Sequence, residues 1–310
     1  MDTFAFAISV TGPIFLTLLI GYGLAWKGLL SDAFVDGASR LVFLVTLPAL
    51  LFFNIFASDA RLGDEWPLLA AGLIGTVVTV PLAWLAARPL EWGDRSAFIQ
   101  GAFRGNLGII GLAWAANAYG PAGLAQAALL MAVITIFYNV AAVALFAVYS
   151  QKATFSWSKL LKDIARNPLI VAIVLALIAK GVGLKLPQIL VQTGDYLASI
   201  TLPLALLCIG ASLDLSMLRR SSFGAFVASG FKLLVVPVVL LAFGWLFALP
   251  PQSMAILFLM AASPTAAASF IMARALGGNS QLAANIVALS TLFSIVTASL
   301  GLALLKVYSP

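Results

Sequence analysis

Apolar residues along this chain come in long unbroken runs of about the length a helix needs to cross 30 Å of hydrocarbon, separated by short polar stretches that hold most of the charge. The runs place membrane helices at roughly 5–26, 34–57, 66–88, 96–118, 123–149, 166–182, 189–213, 222–248, 253–275 and 282–306. The pattern predicts an all-α membrane protein of about ten transmembrane helices. Composition agrees: 63% of the 310 residues are hydrophobic and 9% charged, against about 25% charged in a soluble domain. No water-facing surface can be assembled from that inventory. The N-terminus turns apolar after Met1-Asp2-Thr3-Phe4 without a basic leader, so the first run reads as a retained span.

Charge then orients the spans. With loops after odd-numbered spans assigned to the cytoplasm, eleven Lys and Arg residues fall on that side and Arg61, Lys180, Lys185 and Lys306 on the other. Both termini are expected outside. The net charge of +6 is spread over interspan loops, which speaks for topology and against nucleic acid as a partner. The single cysteine, Cys208, permits no intrachain disulfide, and its apolar setting points to packing.

The proline positions recur. Pro13 pairs with Pro168, Pro48 with Pro203 and Pro81 with Pro237, at separations of 155, 155 and 156. Thr46-Leu47-Pro48 returns as Thr201-Leu202-Pro203, Gly28-Leu29 as Gly183-Leu184, and Gly120 as Gly277 at 157. A duplication divides the chain into a first five-helix repeat at 1–150, a cytoplasmic linker at 151–165 and a second repeat at 166–310. Five is odd, so the second copy enters the membrane from the opposite face. The result is an inverted repeat, an arrangement typical of secondary transporters whose substrate binds between the repeats.

Interrupted helices mark such sites. The fourth span contains Arg104-Gly105-Asn106-Leu107-Gly108-Ile109-Ile110-Gly111, and the ninth contains Ser263-Pro264-Thr265 followed by small residues. At an offset near 157 the two breaks coincide, which predicts broken helices 4 and 9 crossing at matching depth. Half-helix N-termini there would offer unpaired N–H groups to an anion. The plainer alternative is that Gly and Ala pack helices and Pro264 is a kink. Arg104 either faces the substrate cavity or snorkels to the cytoplasmic surface, and Lys232, about ten residues into the eighth span, has a similar claim with farther to reach. Either cation favours a carboxylate-bearing substrate. Candidate binding residues are therefore Arg104, Gly105, Asn106, Gly108, Lys232, Ser263, Pro264 and Thr265, with Gly111, Pro48 and Pro203 as helix breaks or hinges. Asn54, Asn139, Thr46, Thr201, Ser212, Ser290, Thr291 and Ser294 line the cavity or bond across helices. Asp59 and Asp214 read as solvated loop positions, and no carboxylate is placed clearly at mid-membrane. Histidine is absent and no paired acids or cysteine cluster falls at membrane depth, so neither an enzyme nor a metal or other cofactor is expected.

The stretches Ala262-Ser263-Pro264-Thr265-Ala266-Ala267, Ala275-Leu276-Gly277-Gly278 and Ala288-Leu289-Ser290-Thr291, with the Arg104-Gly105-Asn106 break and both Thr-Leu-Pro turns, resemble the auxin efflux carrier family, which includes bacterial malonate-type permeases. The likeness covers essentially the whole chain. It implies two inverted five-helix repeats, crossing fourth and ninth helices, a scaffold part that also forms a homodimer, an elevator-like motion, and a substrate role for Asn106 and Pro264. Leu112-Ala113 stand where many relatives have a proline, and the short linker looks prokaryotic. The implied protein resides in the cell membrane, the inner one in a Gram-negative cell, and moves a small organic anion with a proton, with sodium or with neither. A sodium-coupled bile-acid-type symporter is the alternative.

Overall fold

The computed structural model describes residues 3–58, 63–149, 156–213 and 222–308, and all regular structure among them is helical. Helix α1 is Thr3–Trp26. Helix α2, Asp32–Ala57, carries a π turn at Val42–Thr46, and α3 is Trp66–Ala86. Helix α4 is Trp92–Phe103. The apolar run Leu107–Tyr149 spans 43 residues, about 65 Å as one helix and twice the hydrocarbon thickness. It reverses at Gly120, whose φ of 60° and ψ of −150° leave helical geometry, giving α5 at 107–119 and α6 at 121–149. Then follow α7 (Trp157–Ala165), α8 (Pro168–Gly181), α9 (Gln188–Ala211), α10 (Phe223–Leu246, with a π turn at Phe231–Val235), α11 (Pro251–Ala262), α12 (Ala268–Leu276) and α13 (Ser280–Tyr308).

Seven helical stretches are long and apolar enough to cross a membrane, and α8 and α11 are shorter apolar helices. With no water in a bilayer to serve backbone groups, such segments become helices because a helix satisfies its own amides. Their ends are chemically marked. Ser31 caps α2 through the Phe34 amide, Asn167 caps α8 through the amides of Leu169 and Ile170, and Pro67, Pro168 and Pro251 sit in first turns, where a missing N–H costs nothing. The helix α7 falls within the segment expected to be a linker. Its apolar Trp157, Leu161 and Ile164 alternate with polar positions at helical spacing, a period too short-lived to stand out in the sequence.

The surface is inverted relative to a soluble protein. Leu16, Ile20, Val238, Trp245 and Leu304 are exposed, whereas Thr76, Thr79, Arg104, Lys232, Ser290 and Ser294 are buried. Inside, hydrogen bonds tie helices together, as between the hydroxyls of Thr11 on α1 and Ser299 on α13 at 2.7 Å. Helix α1 lies along α9, α2 along α8 and α9, and α3 along α10. The first contact is backbone to backbone: a Cβ on Gly21 would overlap the Leu207 carbonyl, and one on Gly210 the Leu18 carbonyl.

The four glycines with positive φ are Gly28, Gly120, Gly183 and Gly277, the same four that pair in the sequence. After α1, Gly28 N–H donates to Ala25 O and Leu29 N–H to Leu24 O; after α8, Gly183 N–H donates to Lys180 O and Leu184 N–H to Ala179 O. These are two copies of one left-handed helix-ending turn, in which a Cβ would be strained. Prolines behave differently from the expectation of breaks. Helix α9 continues through Pro203, and α2 continues through Pro48 just after its π turn. Asp59 and Asp214 lie outside the described residues.

Candidate functional site

Helix α4 stops at Phe103 because Arg104 turns extended, with φ −83° and ψ 103°, and Asn106 leaves helical geometry at φ −80° and ψ 64°. Helix α11 stops at Ala262, where Pro264 disfavours helical ψ at its predecessor and Ser263 has ψ 139°. The two interruptions meet. Asn106 N–H donates to Pro264 O at 2.7 Å and Ala266 N–H to Arg104 O at 3.0 Å, forming an antiparallel bridge between Gly105 and Thr265. Each break thus satisfies backbone groups that the other has freed, as backbone buried in a membrane protein requires. Gly105 is small by necessity: a Cβ there would lie 2.7 Å from Ser263 Oγ and 3.3 Å from Lys232 Nζ.

Side chains complete the accounting at the carbonyl ends of the two half-helices. Thr265 Oγ1 donates to Gly101 O at 2.7 Å, and Tyr138 Oη donates to Phe103 O while accepting from Gly105 N–H, both at 3.1 Å. On α11, Ser263 Oγ donates to Met260 O at 2.7 Å and Lys232 Nζ to Ala261 O at 2.5 Å. The Thr265 amide donates to Ser290 Oγ at 3.0 Å. The carbonyl ends are the negative ends of the helix dipoles, and the lysine ammonium sits where that field favours a cation.

The amino ends are different. Neither the segment starting at Leu107 nor α12 has a side-chain cap, and Asn106, Gly108, Ile109 and Ala266–Ala268 retain accessible surface. The side-chain amide of Asn106 hydrogen-bonds to no other described residue. This face carries unspent donors.

The sequence left Arg104 two destinations, and the structure gives it a third. It is 8% exposed and turned toward α6, where Nη1 donates to Tyr138 O at 3.3 Å, Nη2 donates to Asn139 Oδ1 at 3.1 Å, and the guanidinium lies 5.7 Å from the Tyr138 ring centroid. Lys232 is fully buried. Neither cation is paired with a carboxylate among the described residues. Gly111 lies in the π turn 107–111 that restarts the helix, where a Cβ would meet Met260 Sδ at 2.8 Å. Pro48 and Pro203 lie away from the bridge, on α2 and α9.

A cavity of about 480 Å³ opens between α1, α2, α5 and α9, lined by Pro13, Thr17, Asn117, Asp195, Ser199 and Pro203 among others. Ala113 and Leu206 in its wall belong to an apolar cluster that also holds Ile110 and Ala262, which carries the packing from the cavity to the bridge. The sequence reading passed over Tyr138, Gln100, Asn117 and Asp195. Tyr138 gave no signal, because nothing local says that its hydroxyl closes a break 33 residues upstream. Asp195 was legible in principle as an acid seven residues into an apolar helix.

A helical chain with apolar surfaces, buried polar residues and two paired helix breaks is built as a multi-pass membrane transporter. The chain belongs to the membrane transport protein family, whose model matches residues 7–302 and which is the family of the auxin efflux carriers. It is similar to an uncharacterised transporter of Methanothermobacter thermautotrophicus, 24% identical over 292 residues that cover 92% of this chain and 93% of the relative. A second uncharacterised transporter, from Methanocaldococcus jannaschii, is 22% identical over 300 residues, covering 93% and 95%.

Proposed function

We propose that this transporter moves a small organic anion, a mono- or dicarboxylate of auxin or malonate type, by alternating access through ten spans arranged as two inverted five-helix repeats. With the short helix α7 set aside, counting α4 with α5 and α11 with α12 as single interrupted spans makes ten of the described helices. The shared turns at Gly28 and Gly183, the pairing of Gly120 with Gly277, and the reciprocal packing of α1 on α9 and α2 on α8 support the duplication. Both termini then lie outside, by the distribution of Lys and Arg.

One observation carries the choice of an anion: Arg104 and Lys232 are buried at the crossing with no carboxylate partner among the described residues. An unpaired charge at that depth costs a few kcal/mol, and a bound carboxylate would offset it. In this reading Asn106, Gly105, Gly108, Ser263, Pro264 and Thr265 form the seat. The uncapped amino ends and the Asn106 amide face the carboxylate, Lys232 supplies positive potential from behind Gly105, and Arg104 holds the α4 end in register with α6. Helices α2 and α9, softened at Pro48 and Pro203 by absent N–H groups, are the candidates to flex as the seat moves in an elevator-like manner.

The test is uptake of labelled mono- and dicarboxylates by purified protein in liposomes, with pH gradient, sodium gradient and voltage set separately. Saturable carboxylate flux that Asn106→Ala and Arg104→Ala impair in correctly inserted protein is expected. Normal flux in both variants removes the site, and absolute sodium dependence moves the protein to the bile-acid-type alternative.

A further inference from the structure

Asp195 stands out once the bridge is accounted for. It lies seven residues into α9, about 10 Å along the axis from the first residue, and its helix is otherwise apolar from there to Ala211 apart from small hydroxyls and Tyr196. A carboxylate inside a span faces protein or water, not lipid, and Asp195 lines the 480 Å³ cavity. Among the described residues that line the cavity it is the one ionisable side chain.

The helices packed around it bring no counter-charge. Helix α1 has no charged residue and only Tyr22 to titrate, and α5 has only Tyr119. Helix α2 carries Asp32, Asp36 and Arg40 in its first turns, whereas its contact with α9 beside Asp195 is Phe53 against Gly194; Arg40 and Phe53 are 13 residues or about 20 Å apart. On α9 itself, Tyr196 and Cys208 are the other titratable groups. The remaining polar groups of the cavity do not neutralise it. Asn117 spends one of its two amide N–H groups on Val10 O at 3.1 Å, Thr17 its hydroxyl on Pro13 O at 2.8 Å, and Ser199 its hydroxyl on Tyr196 O at 2.8 Å. Pro203 gives the Ser199 carbonyl no helical donor, which adds an acceptor to a wall already rich in acceptors.

A cavity of this polarity repels a carboxylate while Asp195 is ionised. We propose that Asp195 is the coupling-proton acceptor of the transporter: it takes a proton from water on the proton-rich side, the neutral carboxyl admits the organic anion to the cavity, and the proton returns to water on the other side as the anion leaves. This rests on the anion-carrier reading above and names its coupling ion. Asp195 acts on the cargo through charge and need not touch it.

The experiment uses the full chain in liposomes clamped at zero voltage with potassium and valinomycin, with labelled malonate as probe and protein-free liposomes as control. Two modes are read: malonate counterflow without a gradient, and net accumulation driven by a pH gradient. One proton per malonate gives about tenfold accumulation per pH unit in the parent protein. In Asp195→Asn accumulation falls to the equilibrium level, while counterflow persists and loses its pH dependence; Asp195→Glu keeps both modes. Undiminished accumulation in Asp195→Asn overturns the proposal and leaves the carrier reading standing; accumulation that follows sodium in the parent overturns it as well and moves the protein to the bile-acid-type alternative. Loss of both modes in both variants marks a structural residue and also overturns it. Absence of malonate and monocarboxylate counterflow in the parent instead brings down the carrier reading, and this inference with it.

Discussion

Asn106 and Pro264, 158 positions apart in the chain, are joined by a 2.7 Å hydrogen bond from the amide of one to the carbonyl of the other. The bond engages the backbone of Asn106 and leaves its side chain uncommitted. A hydrogen bond from a neutral amide to a charged carboxylate is worth about 1.5–3 kcal/mol. Asn106→Ala is therefore expected to weaken anion transport about ten- to hundredfold, read as KM in liposome uptake, with the melting temperature in detergent little changed. Asn106→Asp, which puts a negative charge in the seat, should be worse than alanine; a better-transporting aspartate variant would speak for a cation as cargo.

Gly105→Ala places a methyl 2.7 Å from Ser263 Oγ and 3.2 Å from Lys232 Cε. Overpacking of this kind costs about 1–3 kcal/mol. Because the nearer clash is with a hydroxyl, Ser263→Ala in the same chain should recover part of the loss in thermal stability. Strict additivity of the two substitutions would show that they do not meet.

Lys232→Met keeps an unbranched side chain one heavy atom shorter and removes its charge. Replacing a buried, unpaired charge by an apolar group is neutral or stabilising more often than not, although here one carbonyl bond, to Ala261, is lost as well. The expected result is a melting temperature at or above that of the parent together with a fall in anion flux of at least about tenfold. A destabilised variant that transports normally would assign the ammonium to architecture alone.

Tyr138→Phe removes one hydroxyl and orphans two buried groups, Gly105 N–H and Phe103 O. Each unsatisfied group costs about 1–3 kcal/mol, so the variant should melt markedly earlier. Amide exchange at Gly105 should accelerate more than exchange in α1, which the hydroxyl does not touch.

The proposed inverted arrangement makes a geometric prediction. In a Cys208→Ala background, single cysteines in place of Lys27 and Lys185, each beside one of the matching turns at Gly28 and Gly183, should react with a membrane-impermeant maleimide from opposite faces of sealed vesicles. Labelling of both from one face would abolish the inversion while leaving the duplication.

What could be read from the sequence follows how local each signal is. Span ends were legible to within a few residues because the free energy of moving a helix into lipid is a sum over neighbours in the chain: 189–213 was expected and Gln188–Ala211 is found. Both breaks were legible because Pro264 restricts the residue before it and the glycines at 105, 108 and 111 weaken the helix locally. Prolines suggested a repeat but did not mark bends, since α9 holds its course through Pro203. The destination of Arg104 was hidden, because it depends on Tyr138 and Asn139 one helix later. Asp195 was overlooked for a related reason: its significance comes from a cavity assembled by four helices, and no run of consecutive residues describes a cavity.

The short backbone pairing at Gly105 and Thr265 also constrains how the machine can work. Two segments from opposite halves of the polypeptide are clasped there as in a cross-stitch, with Thr265 and Tyr138 pinning it to the carbonyls of α4. Neither thread can slide without tearing several bonds at once. Whatever displacement delivers cargo from one face to the other, the clasp must be carried whole, and the yielding has to happen at the joints around it.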